Sequence, residues 1–369
     1  MFKINFVNLK KQYSKLKVEI DNAIQEVIND TAFINGKHVN EFERQFEQKY
    51  GIKNCISCAN GTDALYIALK TLQIETGDEV ITVANTWIST SETISQTGAK
   101  VVFVDINKKD FNIDVNKIEE KITTDTKAII AVHLYGQAAN LTMIKKICKK
   151  YNLFLIEDCA QAHFAEHNNI RVGTVGDIAT FSFYPGKNLG AYGDAGAIIT
   201  NNSDLAQSMR MYARHGALTK HKHKIEGINS RMDGIQAAIL SVKLKYIDEW
   251  NEIRLKNALL YNEKLKTIKE VEVPFIIPNS KHVFHVYCIR AQKRDELMRF
   301  LNSSGIETAI HYPTALPFTE AYSYLKHTKT DFPIAHKYQS EILSLPMCGE
   351  LNEREIDIVV SKIKEFYNY

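Results

Sequence analysis

Hydrophobic and polar positions along the first half of the chain follow two patterns in turn. Short apolar runs predict buried strands, and stretches with apolar residues at helical spacing predict helices between them. The predicted strands cover residues 80–84, 101–105, 128–134 and 153–158. The predicted helices cover residues 12–28, 63–72 and 143–151. Strands that alternate with helices in this way predict a mostly parallel sheet covered by helices.

The second half of the chain has fewer strand patterns. Residues 178–183 and 195–200 are predicted to form a hairpin-like pair that brackets a loop, and a long helix is predicted over residues 233–265. Weaker strand patterns follow near residues 283–291 and 307–311. The predicted fold class is therefore α/β, with a smaller α+β region after the large sheet.

Length and composition agree with a globular protein of two domains. The chain has 369 residues, of which 45% are hydrophobic, so it can bury a large core. We predict a large domain over residues 1–245 and a small C-terminal domain over residues 246–369. The net charge is +3 with 24% charged residues, and neither end is strongly basic or acidic. We therefore expect neither nucleic acid nor a membrane as a partner.

The cysteines and the start of the chain indicate a reduced compartment. Cys55 and Cys58 form a C-x-x-C pair, but no second pair completes a zinc site, and we expect no bound metal. Residues 1–6 lack an apolar signal core. The sequence also lacks the run of about 18 apolar residues that a membrane-spanning helix requires. We therefore expect a cytoplasmic protein.

Three short segments carry candidate chemistry. Lys187 lies in residues 181–189, Phe-Ser-Phe-Tyr-Pro-Gly-Lys-Asn-Leu, between the two strands of the predicted hairpin. Asp158 ends an apolar, strand-like run, and Gly61 and Thr62 begin a helix-like segment after another. Taken alone, each segment has an ordinary interpretation. Lys187 would be a surface lysine, Asp158 a helix cap or salt-bridge partner, and Gly61 and Thr62 part of a strand-to-helix turn.

Together, the three segments fit the needs of pyridoxal phosphate (PLP). Its aldehyde needs an amine that forms a Schiff base and can carry a proton, which suits a Lys187 of lowered pKa. Its ring nitrogen stays protonated when an ionised carboxylate faces it, which suits Asp158. Its phosphate binds well to amides at a helix N-terminus, which suits Gly61 and Thr62. The order of the segments along the chain therefore predicts a PLP site.

The chain resembles the DegT/DnrJ/EryC1/StrS family of sugar-nucleotide aminotransferases from about residue 5 to its end. The matching motifs are residues 60–65 (Asn-Gly-Thr-Asp-Ala-Leu), 77–81 (Gly-Asp-Glu-Val-Ile), 157–163 (Glu-Asp-Cys-Ala-Gln-Ala-His), 181–189, 193–196 (Gly-Asp-Ala-Gly) and 227–233 (Gly-Ile-Asn-Ser-Arg-Met-Asp). The resemblance implies the type I fold of PLP-dependent aminotransferases, with pyridoxamine phosphate as the alternate cofactor form. It also implies that Lys187 and Asp158 are the catalytic residues.

Further cofactor contacts are implied by the same resemblance. Trp87 would lie against the pyridine ring, and Gln161 would reach the ring hydroxyl. Ser182 would add a hydroxyl to the phosphate cup formed by Gly61 and Thr62. The alternatives are that Trp87 is a core residue and that Ser182 is an ordinary strand serine.

Asn229 implies an active site shared between subunits. In the family, the asparagine of the Gly-x-Asn-x-Arg segment crosses to the cofactor phosphate of the neighbouring subunit, so the resemblance implies a homodimer. Just upstream, Lys220 and Lys222 alternate with histidines in the loop 219–224, and these positive neighbours disfavour a metal site. The two lysines are either solvated or contact the diphosphate of the substrate.

Three residues are candidates for a sugar pocket. The resemblance places Tyr184, His311 and Tyr312 near the hexose, with a structural role for the latter two as the alternative. Many relatives follow His-Tyr-Pro with Pro-Leu-His, whereas residues 313–317 are Pro-Thr-Ala-Leu-Pro. This form is similar to members that aminate carbon 3 of a dTDP-3-keto-6-deoxyhexose.

The implied reaction is a two-stage transamination from L-glutamate to a nucleotide-linked keto sugar, giving a dTDP-3-amino-3,6-dideoxyhexose. Amination of carbon 4 of a dTDP- or UDP-4-keto-6-deoxyhexose is an alternative, and so is a PLP-binding sensor protein without turnover. Sugar deoxygenation is disfavoured because a histidine replaces Lys187 in that related group. A nucleotide-sugar oxidoreductase would need a G-x-G-x-x-G motif after the first strand, which this sequence lacks.

Overall fold

The computed structural model describes residues 3–369. Its helices are α1 (Leu9–Asn29), α2 (Lys37–Tyr50), α3 (Gly61–Thr71), α4 (Ser89–Gln96), α5 (Leu141–Tyr151), α6 (Ser203–Tyr212), α7 (Gly234–Leu244), α8 (Ile247–Leu265), α9 (Arg294–Ser303), α10 (Pro333–Tyr338) and α11 (Glu353–Tyr367). Its strands are β1 (Asn54–Cys58), β2 (Glu79–Val83), β3 (Lys100–Val104), β4 (Thr126–Val132), β5 (Phe154–Asp158), β6 (Glu166–His167), β7 (Ile170–Arg171), β8 (Ile178–Ser182), β9 (Gly196–Thr200), β10 (Val271–Glu272), β11 (Ser280–Lys281), β12 (Tyr287–Ala291) and β13 (Ile342–Leu345).

A seven-stranded sheet is the largest sheet within residues 3–369, with the strand order β1-β9-β8-β5-β4-β2-β3. In this order, each strand from β8 onward is parallel to the one that follows it. β9 is antiparallel to both of its neighbours, β8 and β1. β2 is buried along its whole length, as expected for a strand in a sheet covered by helices. The structure therefore confirms the predicted α/β fold with a mostly parallel sheet and the predicted pairing of β8 with β9.

The long helix predicted over residues 233–265 is wrong in one respect, because the structure forms two helices, α7 and α8. The amide of Lys245 donates to Val242 and that of Tyr246 to Lys243, each only three residues back. These shorter bonds interrupt the ladder of an α-helix and allow the chain to change direction. No proline or glycine marks the break, so the hydrophobic pattern alone did not predict it.

The strand predicted over residues 307–311 is also wrong. Ala309 forms an isolated bridge with Ser344, at hydrogen-bond distances of 3.2 and 2.8 Å, and no strand extends from it in the described chain. The next residues turn toward other partners: the Nδ1 of His311 lies 2.8 Å from the Ser344 hydroxyl, and the carbonyl of His311 accepts a hydrogen bond from the Tyr135 hydroxyl. These contacts end the pairing after one residue.

Two clusters of buried apolar side chains are joined along α8. Ile247 and Trp250, near the start of α8, belong to the cluster around the large sheet. Ala258, Tyr261 and Leu265, further along α8, belong to a second cluster around the small antiparallel sheet β10-β12-β13. The domain boundary at residues 245/246 stays a prediction. Every helix within residues 3–369 is too short or too polar to cross a lipid bilayer.

A buried carboxylate, that of Glu157 in β5, joins several parts of the large sheet. It accepts hydrogen bonds from the amides of Gly173 (2.6 Å), Val175 (2.8 Å) and Gly176 (2.6 Å), which precede β8. It also lies 2.9 Å from Nε2 of His133, the residue after β4. Both side chains are fully buried, so these bonds replace the water that the carboxylate loses on folding.

The hydrogen bonds of His133 also argue against a metal at this place. Its Nδ1 accepts from the amide of Ala139 at 3.0 Å, so Nε2 carries the proton and donates to Glu157. Cys159 lies nearby, but neither ring nitrogen of His133 has a free lone pair for an ion. Burial alone raises the pKa of Glu157, but the contacts with His133 and the loop amides outweigh burial and lower that pKa.

We predict that Glu157→Gln destabilises the protein by about 2–4 kcal/mol, because an amide cannot accept all the hydrogen bonds that the carboxylate accepts. The lowered pKa of Glu157 stabilises the fold above the unfolded pKa of about 4.3, and this contribution is lost as pH falls through the folded pKa. Urea unfolding midpoints of both proteins should therefore converge on acidification.

Glu119→Gln is the matched control, because Glu119 is 45% exposed and pairs with Lys150 at the surface. We expect it to change stability by less than about 0.5 kcal/mol. Equal unfolding midpoints for wild type and Glu157→Gln at neutral pH would contradict the structural role given to Glu157.

Candidate active site

A cavity of about 570 Å³ lies beyond the carboxyl ends of the parallel strands, where ligands of such sheets bind. It brings together most of the residues predicted from the sequence for cofactor and sugar binding. The predicted residues that line it are Gly61, Thr62, Trp87, Asp158, Gln161, Ser182, Tyr184, Lys187, His311 and Tyr312. Asn229, Lys220 and Lys222 do not line this cavity.

Asp158 is held rigidly at the end of β5. Its side chain is 6% exposed, and its Oδ2 accepts a hydrogen bond from the Thr90 hydroxyl at 2.9 Å. Its Oδ1 accepts from the amide of Ala160 at 3.1 Å. Two donors stabilise the charged form of a carboxylate and fix its direction. Asp158 can therefore present a negative charge to a cationic ring nitrogen in the cavity.

Lys187 lies in a tight loop between β8 and β9. The Lys187 amide donates to the Tyr184 carbonyl at 2.8 Å, and a side chain at Gly190 would lie 2.3 Å from the Pro185 carbonyl oxygen. Glycine is therefore required for the loop to close. Loss of hydration in the cavity lowers the pKa of Lys187 to about 8, although the negative charge of Asp158 acts in the opposite direction. This amine can gain or lose a proton near neutral pH.

The N-terminus of α3 forms the phosphate-binding part of the cavity. Asn60 caps the helix by accepting from the Asp63 amide at 2.8 Å, which leaves the first amides of the helix, at Gly61 and Thr62, free for an anion. A Cβ on Gly61 would lie 2.6 Å from the Cβ of Ser182, so only glycine allows the serine to approach this closely. The amides and the serine hydroxyl therefore meet at one place.

Gln161 has a fixed orientation toward the cavity. Its Oε1 accepts from the Tyr135 amide at 2.7 Å, and its Nε2 donates to the Tyr312 hydroxyl at 2.9 Å. The second hydrogen on Nε2 remains available for an oxygen of a ligand. Trp87 is 58% exposed and lies 5.7 Å from Tyr312, centroid to centroid, so it is not a core tryptophan in this chain.

Three predicted residues lie away from the cavity within this chain. Asn229 is exposed and pairs with Arg214 in an isolated bridge. Lys220 and Lys222 are exposed residues of the loop that precedes it. Their roles at a shared site and at a substrate diphosphate stay predictions.

The cavity also contains residues that the sequence did not single out. Thr90, in α4, binds Asp158. His285 lies 3.2 Å, through its Nδ1, from Oδ1 of Asn188, the residue after the lysine. Phe6 lines the cavity and stacks on His311 at 5.6 Å. These residues come from distant parts of the chain, and no local pattern relates them to Lys187 or Asp158.

The side chains present fit PLP. The cavity combines a carboxylate for the ring nitrogen (Asp158), an amine of lowered pKa for the aldehyde (Lys187) and a helix N-terminus with a serine for the phosphate. The free N–H of Gln161 suits the ring oxygen. The glycine at position 61 allows Ser182 to lie close to the first amides of α3.

The chain is similar to known proteins over nearly its whole length. A sequence model described as the DegT/DnrJ/EryC1/StrS aminotransferase family matches residues 14–364. A "Pleiotropic regulatory protein" of Geobacillus stearothermophilus is 45% identical over 368 residues, which cover 99% of each chain. The dTDP-3-amino-3,6-dideoxy-alpha-D-galactopyranose transaminase of Aneurinibacillus thermoaerophilus is 42% identical over 363 residues, which cover 98% of this chain and 99% of that one.

The solved structures include a similarly close match. The crystal structure of S. venezuelae DesV in complex with a ketimine intermediate has a TM-score of 0.97 and 34% identity, with 100% of both chains covered. The similarity therefore extends over the large sheet, the small sheet and the cavity between the strand ends and the later segments.

Proposed function

We propose that this chain, which belongs to the DegT/DnrJ/EryC1/StrS aminotransferase family, transfers an amino group from L-glutamate to carbon 3 of a dTDP-3-keto-6-deoxyhexose. The chain is a PLP-dependent sugar-nucleotide aminotransferase, which confirms the enzyme class and the cofactor predicted from the sequence. The site residues, the amino donor and the sugar carbon are proposals. The observation that carries the proposed transamination site is the presence of Lys187 and Asp158 in one cavity.

Each side chain of the cavity has a separate role in the proposed transamination. When bound, PLP supplies the electron sink for breaking a bond at the carbon that carries the amino group. Asp158 keeps a negative charge facing the ring nitrogen, and Gln161 binds the ring oxygen. Lys187, with its pKa lowered to about 8, would carry a proton from the donor carbon to the cofactor in the first stage, and from the cofactor to the sugar carbon in the second. The amides of Gly61 and Thr62 hold the phosphate.

Two observations support carbon 3 as the site of amination. The relative from Aneurinibacillus thermoaerophilus is named for a 3-amino sugar. The distinctive segment 313–317 follows His311 and Tyr312 directly, and its Leu316 amide donates to the Ala84 carbonyl at 2.9 Å, just beyond β2. The segment is therefore held at the edge of the sheet where the cavity lies. Tyr184, which is 59% exposed, is the proposed further contact with the hexose.

Lys187→Ala is expected to bind the cofactor but to lose turnover, because the proton carrier is gone. Asp158→Asn should reduce kcat by several powers of ten, because a neutral amide does not keep the ring nitrogen charged. The control is Asp204→Asn, which changes a carboxylate in α6 outside the cavity and should leave kcat unchanged. Substantial turnover by Lys187→Ala would show that another group carries the proton.

A half-reaction tests the sugar carbon. The enzyme is converted to its pyridoxamine form with glutamate, freed of the donor, and then mixed separately with a 3-keto or a 4-keto dTDP-6-deoxysugar. We expect the visible absorption of the lysine-bound cofactor to return only with the 3-keto sugar. Return only with the 4-keto sugar would contradict the carbon 3 proposal, and no return with either would point to uridine sugars or another acceptor.

The proposed functional unit is a homodimer in which Asn229 of each subunit completes the phosphate site of the other. Its exposed position away from the cavity of its own chain supports this arrangement. Lys220 and Lys222, exposed in the adjoining loop, are the proposed contacts to the substrate diphosphate from the same side.

Subunit complementation tests the shared site. Lys187→Ala and Asn229→Ala are each expected to have low activity as homodimers. Each hybrid dimer regains one intact site, so a mixture refolded together should recover about a quarter of wild-type activity. Mixing without unfolding is the control for subunit exchange. If the refolded mixture shows only the sum of the two low activities, Asn229 does not act across the interface.

A further inference from the structure

The loop that carries Lys187 rests on a buried polar network. Asn188 is 2% exposed, and its Nδ2 donates to the Asn251 Oδ1 at 2.8 Å and to the Val283 carbonyl at 2.9 Å. Both partners are oxygen acceptors, so the amide group of Asn188 has only one possible orientation. Its Oδ1 therefore faces Nδ1 of His285, at 3.2 Å.

The orientation of Asn188 determines the tautomer of His285. An amide oxygen can only accept a hydrogen bond, so the proton of the neutral imidazole must lie on Nδ1. Nε2 then carries a lone pair. His285 lines the same cavity as Lys187, and Nε2 forms no hydrogen bond within residues 3–369. The network therefore supplies a neutral acceptor to the cavity that Lys187 also lines.

The charged groups around His285 keep the imidazole neutral. Burial, and then the positive charges of Lys187 and Arg254, lower its pKa well below the usual value, with further contributions from His311 and His163. Arg254 also binds the backbone of this segment, since its Nη1 donates to the Phe284 carbonyl at 3.0 Å. An imidazole that stays neutral can accept a hydrogen bond from an ammonium throughout the neutral pH range.

We propose that His285 is a positioning residue for Lys187, and that its Nε2 accepts a hydrogen bond from the Lys187 ammonium in the pyridoxamine phosphate form, in which the cofactor occupies the cavity and is detached from that amine. Asn188, next to Lys187 in sequence, determines the orientation and tautomer of the His285 imidazole, and the imidazole in turn positions the Lys187 amine. The inference rests on the proposed role of Lys187 as proton carrier, because a carrier must be held in place while it is detached from the cofactor.

The test measures the pKa of the Lys187 amine in the full-length enzyme in its pyridoxamine phosphate form. Competitive labelling with trace acetic anhydride, read for the Lys187 peptide by mass spectrometry across a range of pH, gives this pKa directly. We expect His285→Phe to lower it by about one unit, because a hydrogen bond to the charged form is lost. His285→Gln keeps an acceptor oxygen and should leave it near the wild-type value.

His282→Asn is the matched control. His282 lies in the same segment, and its Nδ1 accepts from the Phe284 amide at 3.0 Å, a bond that asparagine can keep. We expect it to leave the Lys187 pKa unchanged. An unchanged Lys187 pKa in His285→Phe overturns the proposal, and so does an equal fall in His285→Gln and His285→Phe.

A measurement on the unaltered enzyme covers the case in which the variants do not fold. Nitrogen-15 NMR of the labelled histidines distinguishes the two neutral tautomers, and we expect the signals of His285 to show a protonated Nδ1 and a bare Nε2. The opposite tautomer would overturn the proposal. Turnover by Lys187→Ala would instead refute the role of Lys187 and leave these two readouts intact, so the two failures are distinguishable.

Discussion

The buried carboxylate of Glu157 is the interaction on which the arrangement of the site depends. It connects the end of β5 to His133 after β4 and to the amides of Gly173, Val175 and Gly176 before β8. The last residues of these three strands, Val132, Asp158 and Ser182, all line the cavity. The ends of these strands therefore stay aligned with one another as long as the Glu157 carboxylate is charged and keeps all its hydrogen bonds.

Asp158 follows Glu157 directly, and the two carboxylates serve opposite purposes because successive side chains of a strand point to opposite faces of the sheet. The Glu157 oxygens accept hydrogen bonds from buried backbone amides and a histidine, whereas the Asp158 oxygens accept from Thr90 and Ala160 at the edge of the cavity. One carboxylate stabilises the strand end, and the other is thereby held in place for a ligand. Rigidity at Glu157 is thus a condition for the electrostatic role proposed for Asp158.

The sequence predicted those parts of the fold and site that depend on neighbours in the chain. The central strands, the turn at Gly61 and the order of Asp158 and Lys187 follow local hydrophobic and glycine patterns, and the structure places them together. The break between α7 and α8 was missed because it depends on packing rather than on a helix-breaking residue. His285 was missed because its link to Lys187 runs through Asn188, about 100 residues earlier, and only tertiary structure shows it.

The positive charge of Lys187 acts on three histidines, and burial keeps all of them uncharged. Burial and then the positive charge of Lys187 lower the pKa of His163 to about 3 and that of His311 to about 4, and they lower the pKa of His285 still more clearly. None of the three then competes with Lys187, at a pKa of about 8, for a proton near neutral pH. A proton removed from the donor carbon is therefore taken up by the lysine, which can pass it on within the same stage of the reaction. Loss of hydration in the pocket thus determines which group carries the proton. His285 and His311 contribute hydrogen bonds, to Asn188 and Ser344, without adding charge.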